Sequence, residues 1–201
     1  MDEVLVQGFS EITQNTPEAA IDAAILAFKL NITPVATIGI GFGGDNHNDT
    51  DLADEASEHV SGIETLDYMF KRLEEESLSD SVTFANLGVF GRTLSDRKQG
   101  NGRDHNLNHH VMMMSGRYVK AGVYGGIKPV GTDFGSTGIQ STTGASNDGG
   151  DIPVDESLES AAKTLAASAG LPDEVMQTRV QSNETGEEMS VGKIISGALQ
   201  S

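Results

Sequence analysis

The chain has 201 residues, of which 30 are acidic and 13 basic, so its formal net charge at pH 7 is −17. Such a surplus of negative charge repels nucleic acid and anionic membranes, and we expect no nucleic-acid partner. The absence of cysteine excludes disulfides, thiolate catalysis and cysteine-bound zinc. No apolar run is long enough to predict a membrane span, and the N-terminal segment lacks the pattern of a signal peptide.

The first predicted elements are a helix and a buried strand. Asn15 can cap a helix that has Pro17 in its first turn and ends near Leu30. Residues 34–42, PVATIGIGF, are β-prone and apolar on both faces, as expected of a strand in a covered parallel sheet.

A second helix and two further strands follow. Residues 50–78 predict a long helix, and residues 81–87 and 110–115 predict two short strands. Residues 120–128 predict a hairpin or an edge strand. Strand, helix, strand in this order implies right-handed βαβ units, and the expected fold is therefore a three-layer α/β/α domain with a mostly parallel sheet. The apolar stripe of the long helix would comprise Ile63, Leu66, Phe70 and Leu73.

The last third of the chain is less regular. Residues 131–151 are rich in Gly, Ser and Thr, which predicts a flexible loop or linker. A helix is expected over 155–169. We predict one α/β domain over 1–172 and a polar tail over 173–201, with a possible short helix at 191–199.

Two loops offer carboxylate and imidazole ligands for a divalent ion. Asp45 and His47 are spaced D-x-H in a glycine-rich loop, and Asp104 is adjacent to His105 just before a strand. Carboxylate and imidazole are the ligands that zinc, manganese or iron accept where thiolate is absent. Ligands gather at the carboxyl ends of strands in parallel sheets, so we expect His47 and His105 to bind the same ion.

Each of these features also has a simpler interpretation. A carboxylate in a Gly-rich loop is commonly a turn or cap residue, and Asp49 or Thr50 can cap the next helix. A histidine beside an aspartate is more often a surface hydrogen-bonded pair than a metal site. Arg92 and Arg103 can bind an anionic group, although loop arginines more often make salt bridges.

Four motifs in order carry a family resemblance. They are FGGDNHND at 42–49, FGRT at 90–93, NGRDH at 101–105 and GTD at 131–133. With a glycine-rich turn before the last, they resemble the bacterial "domain of unknown function 1501" family, over roughly residues 20–172. That family belongs with the metal-dependent hydrolases of the alkaline-phosphatase and sulfatase type.

The resemblance implies a partial alkaline-phosphatase-like fold and a hydrolase of phosphate or sulfate esters. It implies a zinc, manganese or iron ion held by the Asp and His residues of both loops, with Arg92 and Arg103 binding a small anionic ester. The family's glutamate before FGRT, a metal ligand by analogy, is Val89 here. Valine cannot coordinate a metal, which favours the alternative of a non-catalytic binding or assembly protein. Asn46, Leu94 and Asn106 are further departures from the family pattern.

The resemblance also bears on location and completeness. Family members are often exported by a twin-arginine signal, which implies a periplasmic location, although this chain carries no such signal. The region expected to supply a nucleophilic serine or threonine has no convincing counterpart before residue 30. The sequence looks like the C-terminal half of such a protein, with a missing N-terminal half or another chain as an expected partner.

Overall fold

The computed structural model describes residues 12–88, 90–94, 102–179 and 192–200. The chain divides into two compact units, Met1–Ser79 with Gly100–Gly102 and Asp80–Gln99 with Arg103–Ser201. Among the described residues, no helix has the length and apolarity needed to cross a bilayer.

The described residues of the first unit form two helices, α1 at Pro17–Lys29 and α2 at Ala53–Glu75. The α1 cap is Thr16, whose side chain accepts from the Ala19 amide at 3.2 Å, so the cap lies one residue later than the sequence predicts. Both helices bury one face within this unit. The buried residues are Ile21, Ala24 and Ile25 of α1, and Gly62, Thr65, Met69 and Leu73 of α2.

The buried face of α2 is shifted from the predicted stripe. Leu73 is buried as expected, but Ile63 is 58% exposed and Phe70 is 39% exposed. The buried face of α2 is centred on smaller residues because the ring of Phe42 packs directly on Gly62. A Cβ at position 62 would collide with that ring. Choosing the stripe by hydrophobicity alone therefore misplaces the buried face.

The predicted strand over 34–42 is wrong. These residues form no regular ladder with any part of the chain that the structure describes. Val35 is 73% exposed, and Phe42 packs edge-on against His59 of α2, with ring centroids 5.1 Å apart. A run that is apolar on both faces needs a partner strand and two covering layers, and the described residues of this unit supply helices but no strand.

In the part of the second unit that the structure describes, short strands form three pairs, and all three pairs are antiparallel. Strands β1 (Phe84–Gly88) and β4 (Val111–Ser115) pair with Phe84 opposite Ser115. Strands β2 (Gly91–Arg92) and β3 (His105–Asn106) form the second pair, and β5 (Ile127–Val130) and β6 (Asp133–Ser136) form the third.

These pairings contradict the predicted three-layer α/β/α fold with a mostly parallel sheet. The strands expected at 81–87 and 110–115 exist, but they run in opposite directions in a two-stranded sheet. About twenty residues separate them, and the described part of that segment forms the β2–β3 pair instead of a crossover helix. Parallel neighbours need such a crossover, so the chain is a mixture of helices and small antiparallel sheets.

The glycine-rich residues 131–151 contain β6 and several backbone bridges. Ile139 forms bridges with Ser146 and with Ile152. Ile139 of this segment also belongs to a buried cluster, in which it packs with Ile152, Ile195 and Ala198, and Tyr124 packs against them.

Helices complete the second unit. The expected helix over 155–169 is α3 at Ser157–Ser168, preceded by a 3₁₀ turn at Val154–Glu156. A short helix, α4, follows at Asp173–Arg179. In the expected helical region 191–199, the described residues contain only a 3₁₀ turn at Ser196–Ala198.

Candidate functional site

Asp45 and His47 lie side by side in the loop between α1 and α2. The Oδ1 atom of Asp45 is 3.3 Å from Nε2 of His47, and both side chains reach solvent, with 77% and 39% exposed. Gly43 has a positive φ of 71° two residues before Asp45, a backbone conformation that glycine adopts without strain. The loop thus holds a carboxylate and an imidazole together in the first unit.

This pair fits the requirements of a divalent ion. Zinc binds imidazole nitrogen and carboxylate oxygen at about 2.0–2.2 Å in a tetrahedron, so two of its ligand atoms lie about 3.4 Å apart. The 3.3 Å between the donor atoms of Asp45 and His47 matches that separation. The same distance also suits a simple hydrogen bond between the two side chains. The two ligand atoms are therefore compatible with a bound ion, but their separation does not require one.

Asp49, four residues after Asp45, has a capping role. Its carboxylate accepts from the backbone amides of Glu55 at 2.8 Å and Asp54 at 3.4 Å. The Glu55 amide is the main reason that the pKa of Asp49 lies below its usual value. The cap expected at position 49 or 50 therefore comes from Asp49.

The second ligand pair lies in the second unit, on β3 and the residue before it. The Asp104 amide donates to Thr93 Oγ1 at 3.0 Å, and the Thr93 amide donates to the Asp104 carbonyl at the same distance. His105 stands opposite Arg92 in the β2–β3 pair, and its amide donates to the Asp104 carboxylate. The FGRT and GRDH motifs thus pair with each other through the backbone.

Phe90 contacts side chains of both strands of the β2–β3 pair, His105 and Arg92. Its ring centroid is 4.3 Å from that of His105, with the two planes inclined by 32°. The Arg92 guanidinium carbon lies 5.9 Å from the centre of the same ring, within the range of a cation–π contact. The phenylalanine therefore places a cation and an imidazole beside each other on the β2–β3 pair.

The GTD motif joins the same assembly through Asp133. Its carboxylate accepts from the Leu94 amide at 3.0 Å and from the Phe134 amide at 2.9 Å. Asn106 is buried, and its side-chain amide donates to the Phe134 carbonyl at 2.8 Å. These residues hold the ends of the FGRT and GRDH motifs together.

Sequence reasoning did not assign Thr93, Asp133 and Asn106 to the site. All three belong to the quoted motifs or follow them directly, so the motif spacing was the available signal. Their role is to position neighbours, which spacing alone does not reveal.

The remaining candidate residues are distributed as follows. Arg103 is half-buried in the second unit, next to Asp104, whereas Gly102 belongs to the first unit and donates to the His47 carbonyl at 2.7 Å. The structure thus brings Asp45 together with His47, and Asp104 together with His105 and Arg92. Val89 lies outside the described residues.

A family model agrees with the resemblance carried by these motifs. The family described as "Protein of unknown function (DUF1501)" matches residues 8–142, more than half of the chain. The chain belongs to the DUF1501 family. The DUF1501 match contains all four motifs, so the resemblance to this family is confirmed. Comparisons with curated proteins and with solved structures found no match.

A larger cavity of about 650 Å³ lies within the second unit, only partly inside the DUF1501 match. Its wall includes the three methionines of β4, which are half-buried, and His110, whose Nε2 is 3.4 Å from Ser157 Oγ. Burial holds the pKa of His110 below its usual value. None of the six candidate site residues lines this cavity.

Proposed function

We propose that the chain is a metal-dependent hydrolase-like domain of the alkaline-phosphatase and sulfatase type, acting on small phosphate or sulfate esters. The proposed metal ligands are Asp45, His47, Asp104 and His105. The observation that carries the proposal is the separation of the Asp45 and His47 donor atoms, which matches that of two zinc ligands.

Two further observations support the proposal. The motif that contains Asp104 and His105 is joined to FGRT by two hydrogen bonds between Thr93 and Asp104, which fix the backbone that carries these two proposed ligands. The chain offers no thiolate, so its donor set is one that zinc, manganese or iron accept.

The metal ligands and the two arginines have different proposed roles. When bound, the ion polarises an ester oxygen or activates a nucleophile. Arg92, held over the Phe90 ring, supplies a guanidinium that binds phosphate or sulfate oxygens. Arg103 is proposed for the same task.

Val89 favours a second candidate function. It stands where the family carries a glutamate, so the ligand set has one charge fewer. Membership of a fold family does not imply catalytic activity. A domain that has lost a metal-ligating residue can serve as a binding or assembly protein.

Metal analysis and hydrolysis assays separate the two functions. The purified chain is incubated with zinc, manganese or iron, desalted and analysed by mass spectrometry, and then assayed with p-nitrophenyl phosphate and p-nitrophenyl sulfate. We expect a stoichiometric ion that is lost in Asp45→Ala and in His105→Ala. The matched control is His59→Gln, which removes a histidine that packs on Phe42 and is not a proposed ligand.

Each result has a defined meaning. Bound metal with metal-dependent hydrolysis supports the hydrolase. Bound metal without hydrolysis of either ester supports the binding protein. A metal-free chain whose melting temperature does not change on addition of these ions contradicts the metal site altogether.

A further inference from the structure

A second pocket lies at the start of α2, within the first unit. Its volume is about 280 Å³, several times the roughly 30 Å³ that a water molecule occupies in the liquid. Every side chain that lines it carries an oxygen, and none of the lining residues is Lys, Arg or His. The lining consists of Asp45, Asn46, Asn48, Asp49, Asp54, Glu55, Ser57 and Glu58.

Helix capping explains only part of this acidic lining. The carboxylate of Asp49 accepts from amides of the first turn, and acidic residues in that turn complement the helix dipole. Glu58 lies beyond the first turn. Its carboxylate lies so close to Gly44 that the Cβ of any other residue at position 44 would collide with it. The cap therefore does not account for the place of Glu58 in the pocket lining.

Asn46 gives independent evidence that the pocket receives a ligand. It lines the pocket and is only 4% exposed. Its side-chain nitrogen donates to the Glu55 carboxylate, but its Oδ1 accepts no hydrogen bond from any residue that the structure describes. A buried amide oxygen without a partner costs free energy, and a cation bound beside it would remove that cost.

We infer that this pocket binds a hard divalent cation, and that calcium is its preferred ion. Calcium takes six to eight oxygen ligands from carboxylates, amide oxygens and water, in flexible geometry. The pocket offers five carboxylates and the Asn46 oxygen, and it has room for bound water. Magnesium demands a smaller and more regular octahedron, whereas zinc prefers sites with nitrogen or sulfur.

This inference goes beyond the proposed hydrolase, because the lining contains no imidazole and selects a different class of ion. Asp45 is the one residue that both proposals use. The test therefore leaves Asp45 unchanged and alters Glu58, which has no place in the proposed hydrolase site.

Calcium titration of the full chain tests the inference. The protein is treated with EDTA, desalted and titrated with calcium chloride in a calorimeter, with magnesium and zinc as comparison ions. We expect one calcium per chain, bound more tightly than magnesium. Removing one charged ligand should weaken calcium binding about tenfold or more in Glu58→Gln. Circular dichroism confirms that this variant is folded.

Two controls make the result specific. Glu64→Gln neutralises an exposed carboxylate of the same helix outside the pocket, and His47→Ala removes a proposed hydrolase ligand. Both should bind calcium as the unmodified chain does. The inference is overturned by no binding at about 10 mM calcium, above the range of weak natural sites. It is overturned equally if Glu64→Gln or His47→Ala weakens binding as much as Glu58→Gln.

Discussion

The two units are stabilised in different ways. In the first, two helices bury one face each and are joined by polar contacts, in which Asp22 of α1 accepts from Tyr68 and Arg72 of α2. In the second, short strand pairs and glycine-rich turns surround a small cluster around Ile139 and Ile152. Long helices satisfy their own backbone, whereas short strand pairs depend on side chains that are distant in sequence. A core truncation in the second unit and the loss of the polar contact in the first test these two modes of stabilisation.

The largest expected effect comes from Ile152→Ala. Ile152 is fully buried, and its amide and carbonyl both pair with those of Ile139. Truncating a buried isoleucine removes packing and leaves a cavity, which lowers the free energy of unfolding by about 2–5 kcal/mol. Urea denaturation followed by circular dichroism measures this loss.

The control for this prediction is Val123→Ala in the same unit. Val123 is 95% exposed, so its truncation should change stability by no more than about 0.5 kcal/mol. Equal losses in the two variants would mean that the Ile139–Ile152 cluster does not stabilise the second unit.

A smaller effect is expected from Asp22→Ala in the first unit. The Asp22 carboxylate accepts from the Tyr68 hydroxyl at 2.8 Å and from Arg72 Nε at 2.9 Å, with about a third of its surface exposed. Charged hydrogen bonds contribute more than fully exposed ion pairs, and partial exposure places the expected loss at about 1–2 kcal/mol. Chemical denaturation measures it.

The matched control removes an exposed pair from α2. Asp67 contacts Lys71 at 2.6 Å, and more than half of each side chain is exposed. Exposed i,i+4 pairs contribute about 0.3–0.5 kcal/mol, so Asp67→Ala should cost clearly less than Asp22→Ala. A larger loss for Asp67 would show that the partly buried contact of Asp22 with Tyr68 and Arg72 is not what stabilises the two helices.

The helices were the most predictable part of the fold. Those expected over 50–78 and 155–169 are observed as Ala53–Glu75 and Ser157–Ser168, because helical hydrogen bonds and periodicity are local. The sequence also predicts the strands at 81–87 and 110–115, but not their antiparallel pairing. Strand direction depends on contacts between distant segments, and an apolar run gives no information about its partner.

In the candidate site, too, local features were predictable from the sequence, whereas contacts between distant segments were not. The D-x-H spacing predicts that Asp45 and His47 can turn toward each other, and their donor atoms lie 3.3 Å apart, because this is a local property of one loop. Their role as metal ligands, with Asp104 and His105, stays a prediction. The roles of Thr93 and Asp133 depend on hydrogen bonds to other motifs. No pattern within a single motif could reveal them.

The smallest predicted effect is a pH dependence that arises in the second unit. Burial is the main cause of the lowered pKa of His110, the neighbouring His109 acts in the same direction, and Glu159 opposes them. In the unfolded chain this imidazole titrates near 6.5. As the pH falls below 6.5, the unfolded chain therefore binds a proton before the folded chain does, and the free energy of unfolding decreases. The stabilisation is complete above pH 6.5 and is lost towards the lower pKa of the folded state.

Denaturation of the chain at pH 7.5, 6.5 and 5.5, in EDTA to remove bound metal, measures how steeply the free energy of unfolding changes with pH. His110→Gln keeps a polar side chain near Ser157 but cannot titrate, so its stability should fall less between pH 6.5 and 5.5 than that of the unmodified chain. Asp49 and Asp151 have pKa values below their usual range, so their stabilisation is lost only at a lower pH. The difference between the two proteins in this window therefore comes from His110, and identical slopes would show that its burial does not affect stability.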